Sequence, residues 1–496
     1  MTLAQVAALL QAPEGDGPTL LVASPESAAR TQIDDLAFDV SAARPGSLFF
    51  CLREASGGGL EIARSAVEAG SVAAVVKEPF DGLGVPQMQV TDVRRSMGRV
   101  AAPFFGHPTR SLEVAGVTGT NGKTTTTFML ESIFRAGGVL TGLIGTIESR
   151  IAGEVRPAVR TTPEAIDLQR MFAEMVQSGV THCAMEAASH GLAQGRLDGT
   201  HFRVGIFTNL SQDHLDFHAS MEDYFQAKKA LFTPDRVDHS LINIDDDWGR
   251  RLAEEIGSPF STYSLESGAD LVAVDVEPMQ WGSRFRAQGL GLDCEITIRL
   301  PHRFNVANAL AAAGAAHLMG FPEESIQRGL TELDGVPGRM ERIDEGQDFT
   351  VLVDYAHTPD ALNSMLPSAR LLSKGRLLVV FGCGGDRERG KRPLMGAAVT
   401  KHSDLVIVTS DNPRSEAPEA IIDEIETALR DSPPPEGYRS IPDRREAIQQ
   451  ALAAARPGDV VVIAGKGHET YQEINGRRIE FDDRKVAADL LRAMIK

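Results

Sequence analysis

The run Thr118-Gly119-Thr120-Asn121-Gly122-Lys123-Thr124-Thr125 has the residue types of a phosphate cradle. Glycines let backbone N–H groups approach phosphate oxygens, and a helix starting at the end of the run adds a favourable dipole. In such a loop Lys123 reaches the β- and γ-phosphates of a triphosphate, and Thr124 holds Mg²⁺. One position departs from the usual spacing. Six residues before the lysine stands Val117 rather than glycine, flanked by Gly116 and Gly119. The context still favours a phosphate loop over a glycine turn with a surface lysine. Leu112 to Val117 reads as a buried strand, and Met129, Leu130, Ile133 and Phe134 give the following segment a helical apolar face.

A second group of chemically useful residues falls at other strand ends. Glu186 follows the apolar run Thr181 to Met185. In open parallel sheets ligands bind at the carboxyl ends of strands, so this acid is placed to hold a metal near the triphosphate. After the strand Val204 to Thr208 comes Asn209-Leu210-Ser211-Gln212-Asp213-His214-Leu215-Asp216-Phe217-His218, dense in acids and histidines. Lys228-Lys229 lies on an expected helix, where a lysine pair by itself reads as a solvated face.

The elements that must position these groups alternate between strand and helix. Residues 1–110 read as a small α/β unit, with strands at Ser47 to Leu52 and Val72 to Val76 around a helical stretch from Ala63 to Ala69. Phe105 to Thr109 reads as a linker. Residues 111–336 read as a mostly parallel sheet with helices, the Ala-rich segment Asn305 to Met319 among them. Asp334 to Gly338 marks a second boundary. Residues 337–496 carry buried strands at Thr350 to Val353, Leu377 to Phe381, Leu405 to Thr409 and Val460 to Ala464. Pro433-Pro434-Pro435 is expected in a surface loop.

Composition narrows the function. A net charge of −18 over 496 residues argues against a nucleic-acid partner. No apolar run approaches the ~20 residues that span a bilayer, so membrane insertion is not expected. Met1 to Pro13 lacks a basic stretch followed by an apolar one, so no signal peptide is expected. Cys51, Cys183, Cys294 and Cys383 form no CxxC pair, which argues against zinc and disulfides and favours a reducing cytoplasm.

Taken in order, Gly119-Thr120-Asn121-Gly122-Lys123-Thr124, Asp213-His214-Leu215-Asp216, Phe304-Asn305, Gly338-Arg339-Met340-Glu341, Asp354-Tyr355-Ala356-His357-Thr358-Pro359-Asp360, Phe381-Gly382-Cys383-Gly384-Gly385-Asp386-Arg387, Asp411-Asn412-Pro413-Arg414 and Gly465-Lys466-Gly467-His468-Glu469 resemble the Mur ligases, and within them the MurE type. The match covers most of residues 110 to 490 and is weaker before. The resemblance implies a three-domain α/β architecture: an N-terminal domain for the UDP end of the substrate, a central P-loop ATPase and a Rossmann-like C-terminal domain. It implies ATP and Mg²⁺ as cofactors, small-molecule substrates and a cytoplasmic monomer. The implied reaction adds the third residue of the peptidoglycan stem peptide to UDP-N-acetylmuramoyl-L-alanyl-D-glutamate. The substrate carboxylate takes the γ-phosphate of ATP, and the amine of the incoming amino acid displaces phosphate. Phosphorylation supplies the leaving group that a carboxylate lacks, and cations must gather the anions.

The resemblance also assigns residues. Lys123 looks like the triphosphate lysine, with Gly119, Thr120, Asn121, Gly122, Thr124 and Thr125 around the phosphates. Asn305, Arg339 and Asp354 match nucleotide-contacting positions. Glu186 and His214 resemble ligands of a second Mg²⁺, and Lys228 matches a lysine that is carbamylated, with Lys229 as its wrong-register rival. Thr161, Thr162, Ser189, Gln194 and Arg196 resemble contacts to the UDP substrate. Asp411, Asn412, Pro413 and Arg414, with Arg387, Gly465 and Glu469, resemble the amino-acid pocket. An arginine at position 414 goes with meso-diaminopimelate, whose second carboxylate it can pair bidentately; other residues there go with L-lysine. Glu469 would face the distal ammonium.

Three segments depart from the family pattern where the UDP substrate would sit. Phe38-Asp39-Val40-Ser41 replaces Asp-Ser-Arg, Arg53 to Glu61 replaces a Gly-x-x-x-Asp-Gly-His-like loop, and Ala188 replaces the first serine of Glu-Val-Ser-Ser-His. Each lost hydrogen bond to an anionic ligand costs about 1–3 kcal/mol. The departures fit either ordinary divergence with compensation or a ligase joining a diamino acid to a different carboxylate substrate. L-lysine or L-ornithine in place of diaminopimelate is the other alternative.

Overall fold

The computed structural model describes residues 1–11, 20–22, 25–54 and 57–495. Ala12 and Pro13 of the N-terminal reading, and Ala55 and Ser56 of the divergent loop, lie outside the described residues.

Among the described residues the chain builds three main sheets. The first is five-stranded and mostly parallel, with its order running Leu20–Val22, Gln87–Gln89, Ala73–Val76, Ser47–Phe50, Asp35–Ala37. The short apolar runs read from sequence are its inner strands. The helix between them is longer than the sequence pattern suggested, Gly59–Glu68, because Gly58 at φ +81° starts it early.

The second sheet has eleven strands. Its centre is parallel: Phe202–Phe207, Glu113–Thr118 and His182–Glu186 lie side by side in register. Val117 pairs with both Glu186 and Ile206, so the ends of three strands open at one level. The parallel expectation holds there and fails at both edges. Gly282–Gly289 and Leu292–Ile298 run antiparallel at one edge, and Glu148–Ile151 and Glu154–Pro157 at the other. Glu148–Ile151 and Leu292–Ile298 alternate between buried and more exposed residues and Glu154–Pro157 buries none, a weaker signal than the continuous apolar runs of buried parallel strands.

The third sheet is six-stranded and parallel except for Glu341–Ile343. Thr350–Asp354, Val460–Ala464, Leu377–Phe381 and Leu405–Val408 fill its middle and are buried throughout except at Thr350. A small hairpin, Tyr471–Ile474 with Arg477–Glu480, stands apart. Each sheet is faced by its own clusters of buried apolar side chains. One cluster crosses a seam: Ala165 and Ile166, at the start of the helix Ala165–Gln177, pack into the N-terminal core.

Candidate active site

The phosphate loop leaves the strand Glu113–Thr118 and enters the helix Lys123–Ala136. Its two glycines are required by shape. A Cβ on Gly119 (φ +149°) would lie 1.9 Å from Thr208 Oγ1, and one on Gly122 (φ +89°) 2.4 Å from Asn308 Oδ1. Val117, the odd residue of the motif, is a buried strand residue before the turn. The loop is braced from the side: Asn121 N–H donates to Asn209 Oδ1 (2.9 Å), and Thr208 Oγ1 donates to Asn121 O (2.6 Å).

Two lysines converge on this loop. Lys123 Nζ donates to the carbonyls of Gly119 and Thr120, each at 2.9 Å. Lys228 Nζ donates to the same Gly119 carbonyl at 2.8 Å and lies 4.5 Å from the Tyr224 ring centroid. Lys228 is 1% exposed. Burial, then the Lys123 charge, push its ammonium well below the ordinary lysine range, against the pull of Asp213. Lys229 instead pairs with Glu255 at the surface (2.7 Å). Helix periodicity turns one lysine inward and its neighbour outward.

Glu186 is fully buried at the end of its strand. Its Oε1 accepts from Thr146 N–H (2.7 Å) and its Oε2 from Thr146 Oγ1 (2.9 Å). Gly145 allows this approach, since a Cβ there would meet Glu186 Oε1 at 2.6 Å. His214 stands at φ +57° beside Asp213, with Nε2 3.4 Å from Asp213 Oδ2. Burial keeps His214 neutral, against Asp213; burial would raise the Asp213 carboxyl, but His214, His357 and Lys391 hold it low. His190 stacks on Phe217 with centroids 4.0 Å apart and meets His214 edge-on at 4.8 Å.

Residues from the C-terminal sheet close the other wall of a cleft of about 750 Å³. Arg339 Nη2 donates to Thr124 Oγ1 (3.1 Å), and its guanidinium lies over the Tyr355 ring at 4.5 Å. Asp354 lines the cleft, but its carboxylate is committed to the backbone, accepting from Met340 N–H and Ala356 N–H at 2.7 Å each. Asn305 donates to Pro301 O and accepts from Asn308. Asp360 Oδ2 accepts from Asn121 Nδ2 (3.0 Å) and Ser211 Oγ (2.9 Å), bridging the two walls.

Thr161, Thr162, Ser189 and Arg196 line the same cleft. Thr162 Oγ1 donates to Glu186 O (2.8 Å) and accepts from Ala188 N–H (3.0 Å). Ser189 Oγ pairs with His218 Nε2, and Gln194 Oε1 accepts from Arg196 Nη2 (2.6 Å). Gln194 is not part of the lining, and neither are the divergent segments near Asp39 and Glu54. Asp39 there caps a short turn, accepting from Ser41 N–H and Oγ.

The amino-acid residues divide. Arg387 lines the nucleotide cleft and pairs with Asp216 (3.1 Å). Asp411, Asn412, Pro413, Arg414, Gly465 and Glu469 lie outside that lining, with Asn412 bonded to Glu469 and Gly465 packed under Asp411. Arg414 is pinned at φ +52°: its N–H donates to Glu473 O (2.9 Å), and its carbonyl accepts from Asn475 N–H (2.7 Å). The small hairpin therefore fixes the arginine, whose Nη1 donates to Gly385 O (2.7 Å). Glu469 Oε2 accepts from Asn412 Nδ2 (2.8 Å) and from the buried Lys466 Nζ (2.9 Å). Gly465 at φ +112° lies under Asp411, where a Cβ would be 2.6 Å from Oδ2.

The donor set suits Mg²⁺ carried in by a triphosphate. That ion takes oxygen ligands and is commonly held by one or two protein groups plus phosphates. Glu186 and Thr124 offer such oxygens, and His214 a neutral imidazole. Among the described residues no group of three or more His, Cys, Asp and Glu forms a metal cage on its own.

Sequence reading missed Thr146, which holds Glu186, and Asp360, quoted in a motif without a role. A hydroxyl just past the strand Thr141–Ile144, next to the strand bearing Glu186, was the available signal.

The Mur ligase middle domain family matches residues 117–316, and the Mur ligase glutamate ligase domain family matches residues 338–467. A UDP-N-acetylmuramoyl-L-alanyl-D-glutamate–2,6-diaminopimelate ligase of Geobacillus thermodenitrificans is 45% identical over 450 residues, covering 89% of this chain and 91% of its own. The protein of the same name from Solibacter usitatus is 43% identical over 471 residues, 94% of either chain. A solved structure bearing that name aligns with TM-score 0.67 and 32% identity over 100% of this chain and 99% of its own.

Proposed function

This chain belongs to the Mur ligase family, and from that premise we propose that it joins meso-diaminopimelate to UDP-N-acetylmuramoyl-L-alanyl-D-glutamate, using ATP and Mg²⁺. It is an ATP-dependent ligase of peptidoglycan synthesis. The observation that carries the substrate reading is the separation of Arg414 from the cations that line the phosphate cleft. Lys123, Lys228, Arg339 and Arg387 line the phosphate cleft, while Arg414 lies outside that lining and is fixed by its backbone to the small hairpin.

Each residue then has a task. The loop N–H groups and Lys123 hold the triphosphate, and Arg339 closes on it from the C-terminal sheet beside Thr124. Glu186, Thr124, His214 and a carbamylated Lys228 would hold Mg²⁺, which neutralises phosphate charge as it is transferred. The depressed ammonium of Lys228 supports the carbamate reading, since only a neutral amine adds carbon dioxide. Thr161, Thr162, Ser189 and Arg196, the last held by Gln194, orient the acid substrate so that its carboxylate meets the γ-phosphate. Fixing two anions in line removes most of the entropic part of the barrier. Arg414 pairs the carboxylate at the far end of diaminopimelate, and Glu469 with Asn412 its ammonium. The domain divisions at residues 110 and 336, a monomeric state and a cytoplasmic location belong to this reading.

Hydroxylamine intercepts acyl phosphates. Purified protein with ATP, Mg²⁺ and the UDP-dipeptide, but no amino acid, should form a substrate hydroxamate. ATP consumption without hydroxamate would contradict an acyl phosphate.

A further inference from the structure

One buried carboxylate in this protein answers three arginines. Glu164 is 1% exposed at the N-terminal boundary of the helix Ala165–Gln177. A short acid there accepts from the helix's own N–H groups, whereas the longer glutamate side chain is free to reach elsewhere. Glu164 makes no such cap bond. Its Oε1 instead receives Arg94 from the N-terminal unit, Arg160 at 3.4 Å and Arg196 at 3.3 Å. Its Oε2 and Arg196 Nε have no hydrogen-bond partner. Among the described residues no other carboxylate is within ion-pair distance of these arginines. At ion-pair distance the three arginines share this single carboxylate, with Asp167 acting on Arg160 from farther away, and Arg160 and Arg196 face the cleft.

We propose that Glu164 is a positioning residue, which gathers Arg94, Arg160 and Arg196 into a wall that holds the second, non-reacting carboxylate of the acid substrate. The inference rests on the function proposed above. That substrate ends in D-glutamate with two free carboxylates, of which one is phosphorylated. The other stays anionic beside it and needs cations. The wall is at the right depth. Arg196 Nη1 donates to Thr162 O (3.0 Å), and Thr162 Oγ1 donates to the Glu186 carbonyl (2.8 Å). One residue thus separates the cluster from the acid at the strand end. Arg160 is nearly half exposed, and its ion pair to Glu164 is loose at 3.4 Å. Arg94 does not line the cleft, so it acts through Glu164. The arrangement also ties substrate binding to the N-terminal unit through a contact that the divergent segments do not supply.

The test is steady-state kinetics of the full chain as wild type, Glu164→Gln, Glu164→Asp and Arg94→Gln, with melting curves beside them. If Glu164 positions the arginines, Glu164→Gln raises KM for the UDP-dipeptide at least tenfold and leaves KM for ATP within twofold. Glu164→Asp recovers part of the loss, and Arg94→Gln raises the same KM. If Glu164→Gln fails to fold, Arg94→Gln carries the test. An unchanged or lowered KM overturns the inference, because a residue that merely neutralised the arginines would bind anions better when removed. Thermal shift with L-alanyl-D-glutamate and with uridine diphosphate, both with the phosphate loop saturated by ADP, separates the two anionic ends of the substrate. Stabilisation by the dipeptide, lost in Glu164→Gln, supports the carboxylate wall; stabilisation by uridine diphosphate alone contradicts it. Dipeptide stabilisation without turnover of the UDP substrate sinks the proposed function and leaves the wall standing. Normal turnover with a wild-type KM in the variants does the reverse, and neither stabilisation nor turnover overturns both.

Discussion

Among single residues, Lys228 separates what spacing can show from what packing shows. In the sequence the pair Lys228-Lys229 is symmetrical, and only a family resemblance chose between them. In the folded chain one is buried against the phosphate loop and the other pairs with Glu255. Lys228→Ala should cut turnover at least a hundredfold while ATP binding, read by calorimetry, changes less than fivefold. Lys229→Ala should stay within twofold of wild type, because exposed ion pairs contribute about 0–1 kcal/mol. Equal losses in both would contradict the assignment. His468 gives a second prediction at this scale. Burial first, then Arg339, Arg484, Lys466 and His357, push it down to about 3, and its Nδ1 is buried without a partner. Its folded-state value lies below the ordinary histidine value, so the unfolded chain binds the extra proton between them. Stability from this group is complete above about pH 6.5 and is lost as pH falls towards 3. Melting temperature between pH 7 and pH 4 should therefore fall less steeply in His468→Gln than in wild type.

Among the elements, the phosphate loop was the most legible. A strand, two glycines and a helix needed no tertiary information, and the odd Val117 proved to be ordinary strand interior. Its glycines act through shape, so Gly119→Ala should weaken ATP binding more than tenfold. A left-handed alanine costs ~1–2 kcal/mol before the collision with Thr208 is counted. Binding within twofold of wild type would contradict the close approach. The hairpin Tyr471–Ile474 with Arg477–Glu480 was not legible. Its outer strand is exposed along its whole length and gives no apolar pattern. Yet its backbone fixes Arg414. The edge strands of the large sheet were missed for a similar reason, since much of each is not buried.

Across the whole molecule, two walls from different sheets meet over the phosphate loop. Arg339 on Thr124, Asp360 on Asn121 and Ser211, and Arg387 on Asp216 join them. No sequence spacing announces these pairs, because they link positions far apart in the chain. The same holds for Glu164, whose arginine from position 94 arrives from another unit. Each contact is individually weak, so bound ATP should decide the closed state. Asp360→Ala should enlarge the radius of gyration of the nucleotide-free protein in solution scattering, and ATP should restore it. The KM for ATP should rise about threefold to tenfold. An unchanged radius and KM would show that Asp360 does not join the walls.

The central claim concerns which acid and which amine are joined. The most direct test is phosphate release from ATP by the purified full chain, given UDP-N-acetylmuramoyl-L-alanyl-D-glutamate with meso-diaminopimelate, L-lysine or L-ornithine in parallel. Turnover that needs the UDP-dipeptide and is at least a hundredfold faster with diaminopimelate is the predicted result. Turnover with lysine or ornithine instead would contradict the role given to Arg414, and none with any of the three, while ATP still binds, would contradict the acid substrate itself.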